Sequence, residues 1–352
     1  MKLSELGEFG LIERIRRSSA KKDFQAPIGI GDDAAALLCS PGSALLATTD
    51  MLIEGVHFDL ATTDMGSLGW KSAAVNVSDI AAMGGNPRFG LVALGLPQRT
   101  TVEQVEEFYR GFGRLAGRHG MQLVGGDTCG SRSGLIISVT VLGEAKRKEI
   151  VARSGARPGD LVFVTAKLGD SAAGREFLKS GSGGRAQGSR GRSLGPKSQE
   201  TGVRKLIEKH LRPEPRVAWG RKLAASGCAS AMIDVSDGLS SDLGHICDES
   251  GVGAEIAEER IPLSKELRSA KGLRLPALAY ALSGGEDYEL LFTLPPAKRK
   301  KLRSLRIPVA EIGVITKGPE RVLIDAQGRR TPLIPSGYDH FAGARAGKRR
   351  KR

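Results

Sequence analysis

Seven aspartates stand among neighbours unusual for charged residues. Asp32 and Asp33 lie in Ile28-Gly29-Ile30-Gly31-Asp32-Asp33-Ala34-Ala35-Ala36, Asp50 ends Leu45-Leu46-Ala47-Thr48-Thr49-Asp50, and Asp79 sits in Val75-Asn76-Val77-Ser78-Asp79-Ile80-Ala81-Ala82. Asp127 closes Leu123-Val124-Gly125-Gly126-Asp127, and Asp234 and Asp237 fall in Met232-Ile233-Asp234-Val235-Ser236-Asp237-Gly238. Such settings predict carboxylates at least half withdrawn from water. A withdrawn carboxylate needs a partner or a metal, and the sequence offers no correspondingly embedded set of Lys or Arg. Hard oxygen donors without basic partners suit divalent cations, Mg²⁺ first, and Mg²⁺ commonly bridges to phosphates. Taken singly, each aspartate serves equally well as a helix or turn cap. Capping does not account for the whole set, because the aspartates so consistently end apolar runs.

The elements that must position them alternate along the chain. Leu6-Phe9-Leu11-Ile12-Ile15 has the spacing of an amphipathic helix. Strand-like runs follow at 34–39, 44–48 and 88–96, helices at 66–83 and 102–119, and strands again at 121–124 and 135–143. A turn-rich joint, Arg153-Ser154-Gly155-Ala156-Arg157-Pro158-Gly159-Asp160, places a domain boundary at about 145–158. Beyond it the spacing predicts a strand at 161–165, a helix at 170–178, helices at 201–211 and 214–226, a strand at 231–235 and a helix at 237–250. An apolar pattern near 274–282, a strand at 288–294, a basic helix at 296–305 and short strands near 308–315 and 321–325 complete the series. The expected organisation is a mixed α/β (α+β) chain in two domains, 1–148 and 149–341, with a flexible basic insertion at 181–200 and a disordered basic tail at 342–352. Asn76-Val77-Ser78-Asp79 is echoed by Asp234-Val235-Ser236-Asp237, which fits a duplication of halves and equally a coincidence.

Composition narrows the function classes. The 352 residues suggest two domains at about 150 residues each. Glycine, at 47 residues, is nearly twice its usual share, and aromatics are only 5%. That favours tight turns and close backbone approach over a greasy ligand pocket. No run of apolar residues is long enough to span a bilayer, and the opening residues, with Glu5, lack the apolar stretch of a secretory signal. Four dispersed cysteines (Cys39, Cys129, Cys228, Cys247) form no C-x-x-C pair, and the histidines form no H-E-x-x-H. The expectation is a cytoplasmic protein with reduced thiols. The net charge of +14 points towards nucleic acid, but nine of those charges come from residues 181–200 and 342–352. The remaining body is only mildly basic, so nucleic-acid binding is not expected beyond the insertion and tail, where it would be steeply salt-dependent.

No familiar phosphate loop is present. The chain has no G-x-x-x-x-G-K-[ST], and the loose match Gly29-x-Gly31-x-x-Ala34 carries Asp32 and Asp33 where they would repel a pyrophosphate. Protein-kinase motifs are also missing.

Taken together, however, the segments resemble the thiamine-monophosphate kinase family, in the superfamily that includes aminoimidazole ribonucleotide synthetase. The resemblance runs through Gly7-Glu8-Phe9, Ile30-Gly31-Asp32-Asp33-Ala34, Thr48-Thr49-Asp50-Met51 to His57-Phe58, Ala74-Val75-Asn76-Val77-Ser78-Asp79 and Gly125-Gly126-Asp127-Thr128. It continues through Arg153-Ser154-Gly155, Gly169-Asp170-Ser171, His210-Leu211-Arg212-Pro213, Ile233-Asp234-Val235-Ser236-Asp237-Gly238, Ser283-Gly284-Gly285-Glu286-Asp287-Tyr288 and Gly337-Tyr338-Asp339-His340. These keep the family's order over nearly the whole chain.

The resemblance implies transfer of the γ-phosphoryl group of ATP to thiamine phosphate, the last step of thiamine diphosphate formation. It also implies an aminoimidazole ribonucleotide synthetase-like fold in two domains, the N-terminal one binding ATP and Mg²⁺ and pairing in a homodimer. Carried over by position, Asp33, Thr48, Thr49, Asp50, Asp79, Asp127, Asp234 and Asp237 are the implied ligands of several Mg²⁺ ions. Tyr109, Gly126, Asp127, Arg153 and Ser236 are the implied ATP contacts, and His57, Glu286 and Tyr338 the implied thiamine phosphate contacts. In such a site Glu286 would satisfy a donor on the pyrimidine and Tyr338 would form a stacking wall. His57 fits equally a packed position after a strand, and Tyr109, between Phe108 and Phe112, a core position. No general base is expected, because the acceptor is an already ionised phosphate and phosphoryl transfer needs chiefly positioning and charge neutralisation.

Rival readings remain within the superfamily. They are a synthetase that activates an amide oxygen, a selenophosphate-forming enzyme, which should show a reactive Cys near its N-terminus, and a carbamoyl-handling enzyme, which should end in one. The first cysteine here is Cys39 and the chain ends in Arg352.

Overall fold

The computed structural model describes residues 11, 13–18, 37–181 and 197–334. Asp32, Asp33, Tyr338, residues 182–196 of the basic insertion and the basic tail lie outside them. Two sheets organise the chain. The first has the order β1-β4-β2-β3 and uses β1 (Ser43–Ile53), β2 (Asn86–Pro97), β3 (Gln122–Ser131) and β4 (Ile136–Lys146). Only β2 and β3 run parallel, and the crossover between them is helix α2 (Val102–His119), the arrangement a parallel pair requires. Helix α1 (Met65–Ala82) packs beside α2 and over β1 and β4.

These two helices touch backbone to backbone. A Cβ at Gly69 would lie 1.9 Å from the Phe108 carbonyl oxygen, and one at Gly111 would lie 1.9 Å from that of Gly66. Only glycine permits this approach, and it draws α1 into a fully covered position. Each helix start is fixed locally. The Asp64 carboxylate accepts from the Ser67 N–H at 2.7 Å, and Thr101 and Gln104 form a reciprocal capping box.

The second sheet has the order β11-β10-β7-β9-β5-β8-β6. Its strands are β5 (Leu161–Thr165), β6 (Ala231–Asp234), β7 (Gly253–Ala257), β8 (Leu290–Leu294), β9 (Val309–Thr316), β10 (Arg321–Ile324) and β11 (Arg330–Pro332). Helices α3 (Asp170–Lys179), α4 (Lys197–Leu211), α5 (Val217–Ser226), α6 (Leu239–Ser250), α7 (Lys265–Ser269), α8 (Ala277–Ser283) and α9 (Arg299–Ser304) fill the connections. The two halves meet along α1. A Cβ at Gly220 of α5 would stand 2.0 Å from the Ala81 carbonyl oxygen, and the Trp70 indole N–H donates to the Pro213 carbonyl at 2.7 Å. Among the described residues, no helix is long and apolar enough to cross a membrane.

Several boundaries differ from the sequence reading for identifiable reasons. Residues 37–39, expected in a strand, have no strand partner. The helix expected from 201 begins at Lys197, inside the stretch read as flexible insertion. The helix expected from 214 begins at Val217, because Pro213 and Pro215 hold their preceding residues extended. The strand expected from Tyr288 begins at Leu290, since Tyr288 has φ +51°. Strands β7 and β11 and helix α7 are too short to show a period.

Candidate active site at the junction of the two halves

Strand β1 alternates so that Leu46, Thr48, Asp50 and Leu52 face α1, while Leu45, Ala47, Thr49 and Met51 face outward. Asp79 lies near the C-terminal end of α1, and the Thr48 hydroxyl donates to its Oδ2 at 2.5 Å. Asp234 ends β6 in the other half and is 2% exposed. The preceding residue on α1, Ser78, donates to Asp234 Oδ2 at 2.6 Å. Two residues from one helix thus bring an aspartate of each half together, and Asp50 joins them from the sheet.

Electrostatics reports the convergence. Burial pushes Asp50 up to about 6, helped by the charge of Asp79. Burial pushes Asp234 up to about 7, with Asp79 the next largest cause and Asp50 a smaller one. Asp79 is also raised by burial, against the Thr48 hydrogen bond and the positive charge of Arg153. None of the three forms an ion pair with a Lys or Arg among the described residues. Three mutually repelling, half to fully buried carboxylates with hydroxyls beside them are a donor set that fits a hard divalent cation.

The turn after β6 adds to the group. The ligating atoms of Asp237, Asp242 and His245 lie within 4.8 Å of one another. Buried Asp242 accepts from the backbone N–H groups of Asp237 and Gly238 at 3.1 and 3.0 Å, which fixes that turn. Burial, then Asp234 and Asp237, holds the Asp242 carboxyl well above the usual range.

Facing this turn is the segment 285–289. Gly285 has φ +67°, and a Cβ there would lie 2.5 Å from the Ser236 carbonyl oxygen, so no other residue fits without displacement. The Glu286 N–H donates to Ser236 O at 2.7 Å and the Tyr288 N–H to Val235 O at 2.9 Å. Glu286 and Tyr288 both adopt positive φ, +59° and +51°, a strained state that such stitching sustains. Glu286 receives Lys71 Nζ on one oxygen at 2.8 Å and His210 Nδ1 on the other at 3.1 Å. Burial alone would raise its carboxyl, but Lys71 and His210 outweigh burial and hold it far below the usual range.

The remaining nominated residues are distributed unevenly. Arg153 is exposed beside the cluster and acts on Asp79 and Asp234 through its charge. Gly126 and Asp127 lie exposed on β3. His57 closes the turn after β1, its Nδ1 accepting from the Ile53 N–H at 3.0 Å, which leaves the ring hydrogen on Nε2. Thr49 faces away from Asp79 and bonds instead to the Val139 carbonyl at 3.1 Å. Tyr109 is 8% exposed in the core and meets Phe108 edge-on at 5.4 Å. Asp33 and Tyr338 lie outside the described residues.

Sequence reasoning missed several participants. Buried Tyr288 sits where the charges of Glu286, Asp50, Asp234 and Asp79 all reach its hydroxyl, which burial foremost and then those charges hold well above its usual range. Embedded basic residues do exist, contrary to the expectation. Lys71 is 2% exposed, and Arg216 makes a two-pronged pair with buried Glu289. Both pair with glutamates, which leaves the aspartates without basic contacts.

A two-half mixed chain with oxygen donors drawn from both halves defines the class. The family described as AIR synthase related protein, N-terminal domain, matches residues 31–145, and its C-terminal counterpart matches residues 157–326. The thiamine-monophosphate kinase of Bacillus subtilis (strain 168) is 36% identical over 96% of this chain and 100% of its own length. The crystal structure of the Stenotrophomonas maltophilia K279a thiamine-monophosphate kinase superposes with TM-score 0.78 at 38% identity, covering 92% of this chain and 98% of that one. AaThiL complexed with AMPPCP and TMP superposes with TM-score 0.73 at 37% identity, covering 97% and 99%. The chain belongs to the thiamine-monophosphate kinase family.

Proposed function

We propose that this protein transfers the γ-phosphoryl group of ATP to thiamine monophosphate, giving thiamine diphosphate and ADP. The observation that carries the reading is the meeting of Asp50, Asp79 and Asp234 from both halves without basic contacts. A family relative complexed with both AMPPCP and TMP supports the substrate pair.

Both reactants are polyanions, so their approach is the main obstacle. Several Mg²⁺ ions held by Asp50, Asp79, Asp234 and Asp237, with Asp33, Thr48 and Asp127 completing the set, would supply the neutralising charge; Thr49, turned to the Val139 carbonyl, is left out of it. Arg153, exposed beside the cluster, binds a phosphate through its fork of N–H groups. Gly126, Asp127 and Ser236 are assigned to ATP, and Tyr109, packed in the core, is not. His57, whose Nδ1 accepts from the Ile53 N–H, is assigned to the acceptor phosphate. Glu286, kept ionised by Lys71 and His210, serves as an acceptor for an amino group on the pyrimidine, and Tyr338 completes that side. No residue is needed to remove a proton, since the attacking oxygen is already ionised.

The outward face of β1 carries Leu45 and Met51 at 55% and 53% exposed. We assign this face to pairing with a second copy. The cysteines are unpaired, in keeping with a cytoplasmic location. The test of the reaction is label transfer. Incubation with γ-labelled ATP, Mg²⁺ and thiamine monophosphate should place the label in thiamine diphosphate, and label released only as inorganic phosphate overturns the assignment.

A further inference from the structure

Lys71 is one of the most deeply covered large side chains among the described residues, and the proposed reaction uses it only to keep Glu286 ionised. It lies on α1, and two helical turns later the same face carries Ser78, about 10.5 Å further along the axis. Lys71 Nζ holds Glu286 at 2.8 Å, and Ser78 holds Asp234 at 2.6 Å. The two gripped residues are themselves joined. Glu286 N–H donates to Ser236 O, Tyr288 N–H to Val235 O and Val235 N–H to Glu289 O, at 2.7, 2.9 and 2.8 Å. The result is a closed ring of contacts, from Lys71 to Glu286, through the backbone to Asp234, to Ser78 and back along the helix. Asp79 projects from that helix beside Ser78. His210, 6% exposed, braces the outer oxygen of Glu286 at 3.1 Å and lies 3.2 Å from the Ser171 hydroxyl.

We propose that Lys71 is a positioning residue for phosphoryl transfer: by gripping Glu286 across the junction it fixes where Asp234 stands relative to Asp79, and so the geometry of the cation site. At 2% exposure it cannot touch a substrate, so it acts only through the ring. The inference rests on the reading of these carboxylates as a cation site.

The test is Mn²⁺ binding, read from the electron paramagnetic resonance signal of free Mn²⁺, in Lys71→Met without any nucleotide. Loss of a direct hydrogen-bond partner of a metal ligand typically costs about 10- to 100-fold in affinity; Lys71 acts one residue further out, through Glu286, so a loss at the lower end, about tenfold, is expected here, with kcat falling alongside. Wild-type affinity and kcat in a variant that merely melts earlier would show a structural role only and overturn the proposal. If Lys71→Met does not fold, because Glu286 is left buried and unpaired, the double variant Lys71→Met/Glu286→Gln removes both charges. It should show the same loss of Mn²⁺ affinity, and undiminished affinity there overturns the proposal as well. A wild-type protein that binds no Mn²⁺ also overturns it. The readout is independent of the acceptor: a protein that binds Mn²⁺ but makes no thiamine diphosphate would refute the proposed reaction while leaving the Lys71 comparison decisive.

Discussion

The Ser78 hydroxyl donates to Asp234 Oδ2 across 156 positions of sequence, at 2.6 Å, and so links the first half directly to a carboxylate of the second. Next to it, Asp79 receives the Thr48 hydroxyl. One turn of helix α1 therefore sets both walls of the cation site. Ser78→Ala leaves a buried carboxylate oxygen without its donor and should cost about 1–3 kcal/mol of stability. Urea denaturation in Mg²⁺ checks this, and an unchanged midpoint contradicts it.

Asp79→Asn should abolish turnover without unfolding the protein, and so should Asp237→Asn. A metal contributes several kcal/mol of charge stabilisation, so kcat should fall by about 1,000-fold or more. Circular dichroism should remain that of the wild type. Wild-type kinetics at saturating Mg²⁺ in either variant would refute the ligand role of that residue.

The cluster should make stability depend on pH and Mg²⁺ jointly. Asp50 and Asp234 are raised to about 6 and about 7 from an ordinary value of 3.8. Between those values the folded, metal-free protein binds more protons than the unfolded chain, so its stability rises as pH falls. A bound cation replaces those protons. Mg²⁺ should therefore raise Tm more at about pH 8 than at about pH 5.5. Comparing EDTA with Mg²⁺ at each pH cancels groups that do not bind metal, such as His210. An equal Mg²⁺ increment at both pH values contradicts the assignment.

Away from the chemistry, the pair between Arg216 and Glu289 is a structural tie. Glu289 is 3% exposed, also accepts from Thr165 at 2.6 Å, and follows directly on the strained segment at 286–288. Arg216 packs over the Trp219 ring at 4.5 Å. Removing one member of such a pair costs about 3–5 kcal/mol, and Arg216→Met should show it by thermal denaturation. A loss below about 1 kcal/mol would mean that water reaches the pair.

Much of this site was legible in the sequence, and the exceptions share a cause. Asp50, Asp79 and Asp234 were visible because each interrupts an apolar run, which is a local property of the chain. Helix 102–119 was visible through its period and capping residues, and strand 161–165 as a continuous apolar run after a turn-rich joint, all of which are also local. Lys71 was invisible: it sits in a helix that is buried on nearly every side, and an isolated Lys in such a run reads as a solvated face. Its partner Glu286 lies more than 200 residues away, and nothing local couples them. Tyr288 belonged to a segment matched to the family, yet only the fold brings its hydroxyl within reach of four carboxylates. Thr49 and Tyr109 show the converse. Their place in the family pattern nominated them, while strand alternation and core packing turn their side chains away from the cluster.

The most direct test of the central claim is an ADP-release assay with ATP and Mg²⁺, comparing thiamine monophosphate, free thiamine and no acceptor, with products separated by chromatography. ADP formed in step with thiamine diphosphate, and only when thiamine monophosphate is present, is the expected result. Absence of ADP with every thiamine acceptor, in protein shown to bind Mg²⁺ and ATP, would contradict it and move the activity elsewhere among the AIR synthase related proteins.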